Sequence, residues 1–372
     1  MLSLNGSQAN SERGVTTLVA AGRLENEREG GSMAISRRAL IAVGVGSAGS
    51  LVVARVAPAV AVAQTSASLQ MGWIANVENA GEFVADDKGY YTAEGVELEL
   101  IPGGPGVSVE PLVVSGNALV GLSQPDNVAR AREQGAELKV VATTFQRNPA
   151  AVMSLATNPV PTPQDLVGKR LGIQQAGVPI YNAFFTGLGI DPASITYVPV
   201  QFDPAPLVAG EVDAFVSFQT NQPIQLALQG IETTTFLLAD FGFNLFTDAF
   251  VVADESLADP ERRATIVKIV RATMRGWRDA IDDPEAAARL VVEKYGQSLN
   301  LDLEAQTLTL QEQIPLIETE ETEAAGLGTM SEERIQENIA TLEQSGIAAT
   351  AEELFDTSIL AEVYAEATPV AG

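Results

Sequence analysis

The side chains that most often perform enzyme chemistry are missing from this sequence. Its 372 residues include no histidine and no cysteine. Imidazole acid–base groups, thiol nucleophiles and disulfides are therefore excluded, as are a Ser-His-Asp triad and a cysteine-rich metal site. Paired carboxylates of the kind used in glycoside hydrolysis remain available among the 48 Asp and Glu residues, but no spaced pair stands out.

Amide and aromatic side chains, which recognise ligands without reacting with them, follow several predicted strands. Ring faces stack on planar heterocycles, and fixed amides pair with ring nitrogens and carbonyls. The candidate ligand-binding residues are Trp73, Asn76, Ser123, Gln124, Asp126, Phe145, Gln146, Gln174, Gln175, Tyr181, Gln219, Asn221 and Asn244. No catalytic residue, metal ligand or cofactor is expected.

Several of these candidates also suit purely structural roles. Trp73 and Phe145 could pack into a core. Ser123 and Gln124 could cap the helix predicted to follow them, and Asp126 is a natural acid for the first turn of that helix. The remaining loop amides could simply be solvated. Both interpretations stay open at this point for each residue.

The charge balance excludes one large class of partners. The chain carries 22 Lys and Arg against 48 Asp and Glu, a formal net charge of −26. Nucleic-acid binding is not expected, because it requires basic surfaces that face phosphates. With 46% hydrophobic residues, the chain is nevertheless expected to fold, and it is long enough for two lobes.

The order of predicted elements indicates how the candidates are positioned. Strands and helices alternate over 69–145 and again over 170–253, and helices dominate from 261 to 355. This order predicts an α/β fold of two lobes, each a mainly parallel sheet flanked by helices. Because ligands bind beyond the carboxyl ends of such strands, the candidate loops should face a cleft that closes by a hinge.

A proline-rich stretch at 158–163 is the clearest internal boundary in the chain. The predicted division is a leader and signal at 1–63, the first part of lobe I at 64–158, lobe II at 159–245, and the return to lobe I with C-terminal helices at 246–372. The two hinge crossings are expected near 158–162 and 242–248.

The N-terminal region has the order of features found in an export signal. Arg37 and Arg38 precede an apolar run, and a small-residue cleavage site ends at Ala63. The pair of arginines resembles a twin-arginine signal, with Met33 as a candidate start. Because no cysteine follows, a lipid anchor through Cys is excluded. We expect an exported, periplasmic or extracytoplasmic protein; an uncleaved membrane anchor would use the same residues.

Three segments resemble a known family. The runs at 80–91, 163–172 and 207–214 are similar to the opening helix, the entry into the second lobe and a small-G-x-x-D-A signature. They occur in this order in extracytoplasmic solute-binding proteins of ABC transporters, in the alkanesulfonate, nitrate and thiamine-precursor group. The resemblance covers roughly 68–300 and implies the type II periplasmic binding protein fold.

The resemblance also implies a function. It suggests a monomeric receptor, not an enzyme, that delivers a small solute to an ABC permease in the membrane. The family also includes pyrimidine synthases of thiamine biosynthesis, which use a histidine and a cysteine-rich segment. This chain has neither, so the synthase activity is the alternative of another class and is not carried over.

The solute is expected to be a small planar heterocycle. The segments around Trp73, 121–126 and 145–146 look most like members that take thiamine pyrimidine precursors or riboflavin. Only one residue of the candidate loops, Arg147, is basic, which disfavours a sulfonate or nitrate. Helix N-termini near Gly177 and Asn221 could still hold an anion. A pyrimidine is therefore expected first and a flavin second, with an alkanesulfonate or nitrate as a further alternative.

Overall fold

The computed structural model describes residues 64–104 and 106–365. The predicted leader, twin-arginine signal and cleavage site lie outside the described residues. The strands are β1 Thr65–Gln70, β2 Val96–Ile101, β3 Val120–Ser123, β4 Leu138–Phe145, β5 Ala150–Leu155, β6 Arg170–Ile173, β7 Thr196–Pro199, β8 Ala214–Phe218, β9 Thr233–Leu237 and β10 Thr247–Ala253.

The helices surround these strands and dominate the C-terminal part. They are α1 Ala80–Asp87, α2 Tyr90–Ala93, α3 Glu110–Val114, α4 Pro125–Glu133, α5 Val178–Gly187, α6 Ala205–Val208, α7 Gln222–Leu228, α8 Asp254–Ala258, α9 Pro260–Asp282, α10 Pro284–Leu290, α11 Leu303–Ile317, α12 Glu320–Ala325, α13 Glu332–Gln344, α14 Ala351–Leu354 and α15 Ser358–Ala365.

The strands form two five-stranded sheets with the same pattern of connections. The order is β2-β1-β3-β10-β4 in the first sheet and β7-β6-β8-β5-β9 in the second. In each sheet one strand runs antiparallel to its neighbours, namely β10 in the first and β5 in the second. Each antiparallel strand follows, along the chain, a strand of the other sheet: β5 follows β4, and β10 follows β9. The predicted α/β architecture of two mainly parallel sheets is confirmed.

This topology brings both crossings between the sheets to the carboxyl edges of the parallel strands. The chain leaves the end of β4 and enters β5 through 146–149, and it leaves β9 and enters β10 through 238–246. The end of β8 pairs with the start of β5, and the end of β4 pairs with the start of β10. Both connecting segments therefore run between the carboxyl edges of the two sheets. The cleft lies between these two edges.

The first crossing lies earlier than the sequence indicated. β5 was expected in lobe I, ahead of a hinge at 158–162, but it pairs with β8 and β9 in the second sheet. The crossing is instead the short segment 146–149, which includes Pro149. The sequence of an apolar strand does not indicate which sheet the strand joins, whereas a proline-rich stretch stands out as a boundary between domains. That stretch connects β5 to the elements before β6, within lobe II.

Most predicted elements are present, several with the expected bounds. The sequence pattern predicts strands at 96–101, 138–145 and 170–173, and β2, β4 and β6 have these bounds. It predicts the first strand at 69–74, but β1 begins four residues earlier, because the exposed polar residues at its start still pair with β2. The short helices α2, α12 and α15 were not predicted.

The long helix α9 illustrates how sequence and packing agree. Asp259 accepts hydrogen bonds from the backbone N–H groups of Glu261 and Arg262, each at 2.9 Å, and so caps the first turn. Pro260 occupies the first helical position, where no N–H partner is needed. One face of the helix is then buried against α1.

Two glycines allow α1 and α9 to approach closely. A Cβ at Gly81 would lie 2.2 Å from the ring of Trp277, and one at Gly276 would lie 2.1 Å from the carbonyl oxygen of Gly81. Any side chain at either position would therefore push the helices apart. This contact holds α1, which follows the first cleft loop, against the core of lobe I.

Two C-terminal helices contact lobe II, and one of them, α11, also contacts lobe I. α11 packs against the turn at 77–79 in lobe I and against α7 in lobe II, while α13 packs against α5. Within residues 64–104 and 106–365, none of the helices has the length and apolar character needed to cross a membrane.

Candidate ligand-binding cleft

The loop after β1 presents Trp73 at the lobe I edge. The backbone N–H of Gly103 donates to the Trp73 carbonyl at 2.7 Å. A Cβ at Gly103 would lie 2.3 Å from the Met71 carbonyl oxygen, so only glycine permits this approach. The loops after β1 and β2 are thus held together, and the Trp73 side chain is half-buried at the carboxyl edge of lobe I.

Several other lobe I candidates have partners within the protein. Asn76 accepts a hydrogen bond from the Glu78 N–H at 3.0 Å and caps the short turn that precedes α1. Ser123 donates to Glu110. Gln124 occupies the N-cap position of α4, although its side chain makes no capping bond. Asn76 and Ser123 are thus engaged within the protein at the same edge as Trp73, but neither Ser123 nor Gln124 caps α4 through its side chain as the sequence suggested.

Asp126 differs from its neighbours because one carboxyl oxygen has no partner. It lies in the first turn of α4, it is buried, and Oδ1 makes no hydrogen bond. Burial raises the pKa of Asp126, against the opposing effect of Arg130. An unpaired acceptor at a helix start beside the cleft edge is available to a ligand donor.

Two predicted aromatic candidates lie in the cores of the lobes. Phe145 is 1% exposed at the end of β4. Tyr181 on α5 is 7% exposed and packs beside Phe185, with ring centroids 6.2 Å apart. Packing, the alternative left open for Phe145, is what the structure supports. Burial also raises the pKa of Tyr181 well above its ordinary range.

The lobe II candidates lie on the opposite edge. Gln174 and Gln175 are exposed after β6. The Gln219 N–H donates to the Pro149 carbonyl at 2.9 Å, which ties the end of β8 to the first crossing. Asn221 precedes α7 and accepts from Gln225 Nε2 at 2.7 Å.

The remaining candidates line a cavity at the hinge. It has a volume of about 140 Å³ and lies between the two crossings and α13. Gln146 donates through Nε2 to the Thr329 carbonyl at 3.0 Å, and its Oε1 is buried without a partner. Asn244 is held by its backbone N–H, which donates to Thr341 Oγ1 at 3.2 Å. Gln146 and Asn244 are thus close together, behind the cleft.

Arg147 and Asp240 form an ion pair that joins the two crossings. Both side chains are nearly half exposed. The single basic residue of the predicted cleft loops is therefore already neutralised by a carboxylate. Asp240 therefore has a cation of the protein itself as its partner.

A group of buried carboxyls at the lobe I edge was not anticipated. Asp248 is the second residue of the return strand β10, between the residues that pair with Phe145 and Ser123, and Glu82 is completely buried on α1. Both Glu82 oxygens and Asp248 Oδ2 lack hydrogen-bond partners. Asp248 has φ of 51°, a left-handed conformation uncommon for residues other than glycine. Glu78, half-buried beside them, completes this carboxyl cluster.

Desolvation shifts all three carboxyls in the same direction. Burial raises the pKa of Glu82 to about 8, with a further contribution from Asp248. Burial raises the pKa of Asp248 to about 7. The pKa of Glu78 is raised by burial first, then by repulsion from Asp248 and Glu82. At neutral pH the cluster therefore retains protons, and protonated carboxyls can both donate and accept hydrogen bonds.

Phe202 is the other residue that the sequence did not single out. It follows β7 at the lobe II edge, and its ring lies 5.6 Å from that of Trp73, at an angle of 47°. This aromatic pair joins the two lobes across the cleft. The rule that ligands bind beyond strand ends applies equally to β7 and could have identified Phe202.

No group of three or more acidic side chains in residues 64–104 and 106–365 is arranged to hold a metal ion. The edges of the cleft combine the carboxyl cluster, whose raised pKa values favour the protonated form, with aromatic rings and amides.

Two sheets of matching topology, joined by two crossings at facing carboxyl edges, define the periplasmic binding protein fold. Solved structures agree. The aliphatic sulphonate binding protein SsuA of Escherichia coli superposes with a TM-score of 0.60 at 13% identity, over 76% of this chain and 85% of that one. The desulfurization enzyme DSZB superposes with a TM-score of 0.52 at 14% identity, over 82% and 100%. The fold therefore occurs in both a binding protein and an enzyme.

The chain belongs to the NMT1/THI5-like family, whose sequence model matches residues 76–287. A riboflavin-binding protein, RibY, of Chloroflexus aurantiacus is 31% identical over 70% of this chain and 75% of its own length. A formylaminopyrimidine-binding protein of Halalkalibacterium halodurans is 24% identical over 74% and 84%. A 4-amino-5-hydroxymethyl-2-methylpyrimidine phosphate synthase of Legionella pneumophila is 27% identical over 62% and 74%.

Proposed function

We propose that this protein is an extracytoplasmic solute receptor that binds a small planar nitrogen heterocycle and delivers it to an ABC permease. The solute enters the open cleft, the lobes close on it at the two crossings, and the closed form docks on the permease. The observation that supports this most strongly is the likeness to two binding proteins along most of the chain, one for riboflavin and one for a pyrimidine.

The composition of the cleft edges supports binding without chemistry. The chain has no histidine or cysteine, so it lacks the groups on which such a synthase mechanism depends. Trp73 and Phe202 offer ring surfaces, and the loops of both lobes offer amides. A pyrimidine synthase-like enzyme is the competing function, because relatives with that name match the chain as well.

Within this proposal each edge has a distinct role. Trp73 and the unpaired acceptors of Asp126 and Asp248 would hold the heterocycle on lobe I. Gln174 and Gln219 would contact it from lobe II as the cleft closes. Hydrogen bonds from fixed buried groups give orientation, and ring contact gives most of the affinity.

The electrostatics favour a ligand with hydrogen-bond donors over an anion. The arginine at the crossings is paired with Asp240, so the one basic side chain of the candidate loops is already engaged and offers little attraction to a sulfonate or nitrate. A protonated carboxyl can donate to a ring nitrogen while accepting from an adjacent exocyclic amine. An aminopyrimidine presents that edge, so it is proposed first; the uracil-like edge of riboflavin is the second choice.

Calorimetric titration of the purified protein tests the proposal directly. The titrants are 4-amino-5-hydroxymethyl-2-methylpyrimidine, a formylaminopyrimidine, thiamine, riboflavin, taurine and nitrate. We expect one aromatic heterocycle to bind with micromolar or tighter affinity and to be recovered unchanged. Binding of taurine or nitrate with none of the heterocycles would contradict the ligand class, and turnover of a bound heterocycle would establish the enzyme alternative. Mass spectrometry of co-purified small molecules gives an independent identification.

A further inference from the structure

One aromatic contact joins the lobes across the mouth of the cleft. Trp73 extends from the loop after β1, and Phe202 from the segment between β7 and α6. Both side chains are half-buried, unlike the core aromatics Phe145 and Phe185. The pair therefore lies at the boundary between cleft and solvent.

The backbone around Phe202 holds its ring at this edge. Pro199 ends β7, and the Val200 N–H donates to the Ile173 carbonyl at 3.2 Å, which keeps the strand end against β6. The Asp203 carboxylate accepts from the Ala205 N–H at 2.9 Å and so turns the chain into α6. The backbone is thus fixed by hydrogen bonds on both sides of Phe202, which lies at the carboxyl edge of lobe II.

The spacing of the two rings indicates how they act. Centroids 5.6 Å apart at 47° are in contact. A third ring between them would need about 3.5 Å on each side, or roughly 7 Å in total. In this conformation the pair leaves no room for a ring ligand between its two rings, so a bound ring would have to lie to one side of the pair.

We infer that Phe202 is a ligand-retention residue, whose contact with Trp73 forms as the lobes close and covers the bound heterocycle. The inference rests on the proposed function for the identity of the ligand. Its consequence is kinetic: a ring ligand leaves only after the two aromatic side chains separate, so Phe202 controls the dissociation rate more than the association rate.

The kinetic experiment compares substitutions at Phe202. Riboflavin, whose fluorescence reports binding, and 4-amino-5-hydroxymethyl-2-methylpyrimidine, followed by the change in Trp emission, are the probes in stopped-flow dissociation. We expect Phe202→Ala to dissociate about tenfold faster, Phe202→Leu to be intermediate because it keeps apolar volume without a ring, and Phe202→Tyr to behave as wild type. Val208→Ala, an exposed change in lobe II, is the control.

A crosslinking experiment tests the contact without a ligand. The natural chain has no cysteine, so a Trp73→Cys/Phe202→Cys double variant carries only the two introduced thiols. A short bis-maleimide is expected to join them within one chain, giving a compact species on a denaturing gel. A Trp73→Cys/Val208→Cys pair should remain unlinked. Absence of the crosslink in the first pair overturns the closing contact.

The two experiments separate this inference from the proposed function. If wild-type protein binds a heterocycle and Phe202→Ala releases it at the wild-type rate, the retention role is overturned while the receptor function stands. If the crosslink forms but no heterocycle binds wild-type protein, the proposed ligand class fails, and with it the retention of a heterocycle. Faster release from Phe202→Ala together with the crosslink supports both.

Discussion

Trp73 illustrates how a single residue connects the sequence to the cleft. Its indole is half-buried, its backbone carbonyl is fixed by the Gly103 N–H at 2.7 Å, and its ring contacts Phe202 of the other lobe. The sequence left packing and ligand stacking equally open for it. The tertiary position at the cleft edge makes it available for stacking.

We expect Trp73→Ala to weaken heterocycle binding by about 1–3 kcal/mol, because an aromatic face and its buried area are lost. Calorimetry with the heterocycle that binds wild-type protein measures this directly. Trp73→Phe should recover most of the affinity. The unfolding free energy of the ligand-free protein serves as control, and unchanged affinity in Trp73→Ala would exclude stacking on this residue.

The carboxyl cluster predicts a pH dependence of stability. Burial raises the pKa of Glu82 to about 8 and that of Asp248 to about 7. The folded state therefore binds protons that the unfolded state releases near pH 4. Stability contributed by these protons is full below pH 4 and is lost as the pH rises from 4 to 8, by an amount on the order of 4 kcal/mol for Glu82 alone.

Glu82→Gln is the variant that isolates this effect. We expect it to be more stable than wild type at pH 8 and to lose that advantage towards pH 4, because an amide needs no proton to stay neutral. Urea unfolding from pH 4 to pH 8 measures the difference. The exposed Glu304→Gln is the control; a constant difference between Glu82→Gln and wild type across this range would contradict the protonated state of Glu82.

At the scale of elements, the contact between α1 and α9 positions the lobe I edge. Gly81 and Gly276 leave room for the Trp277 ring and for the backbone of the facing helix. The helix α1 follows directly on the loop that carries the cleft residues, so its position determines theirs. Close packing of this kind tolerates little added volume.

Gly276→Ala is expected to destabilise the protein by about 1–3 kcal/mol, because its Cβ would lie 2.1 Å from the Gly81 carbonyl oxygen. The gain in helix propensity from alanine, about 1 kcal/mol, works in the opposite direction and is outweighed. Denaturant unfolding measures the change. Gly187→Ala in α5 is a matched control, since its nearest neighbour would be 3.6 Å away. Equal stability of the two variants would contradict the close packing.

At the scale of the whole molecule, the two crossings and the C-terminal helices connect the lobes. The Leu316 carbonyl of α11 accepts from both Gln146 and Arg147 in the first crossing. Asn338 of α13 accepts from the Phe246 N–H of the second crossing at 2.8 Å. The closure that we propose would therefore have to move lobe II against two helices that also hold the crossing segments.

A ligand that contacts both lobes should stabilise them as one unit. At a free concentration of 100 times Kd we expect the heterocycle to raise the unfolding free energy by about 2.7 kcal/mol. Differential scanning calorimetry should show one transition that moves to higher temperature, while taurine leaves it in place. A ligand-induced split into two transitions would indicate contact with one lobe only.

Much of the fold was predictable because it depends on local pattern. The alternation of apolar runs and turn residues gave the bounds of β2, β4 and β6 and the two α/β halves. The sheet that receives β5 could not be predicted, because strand pairing is decided between segments far apart in the chain. In the cleft, the strand-end rule predicts Trp73 and the amide loops, and it applies equally to Phe202, which follows β7.

The sequence by itself determined the available chemistry: without histidine or cysteine, this chain has no imidazole or thiol to react with a solute. Only the tertiary structure decided which groups meet. It buried Phe145, paired Arg147 with Asp240, gathered Glu82 and Asp248 away from water, and brought Phe202 to Trp73. The physical reason is that composition and local pattern belong to each segment separately, whereas burial, pKa shifts and contacts between lobes arise from distances between segments that are far apart in sequence.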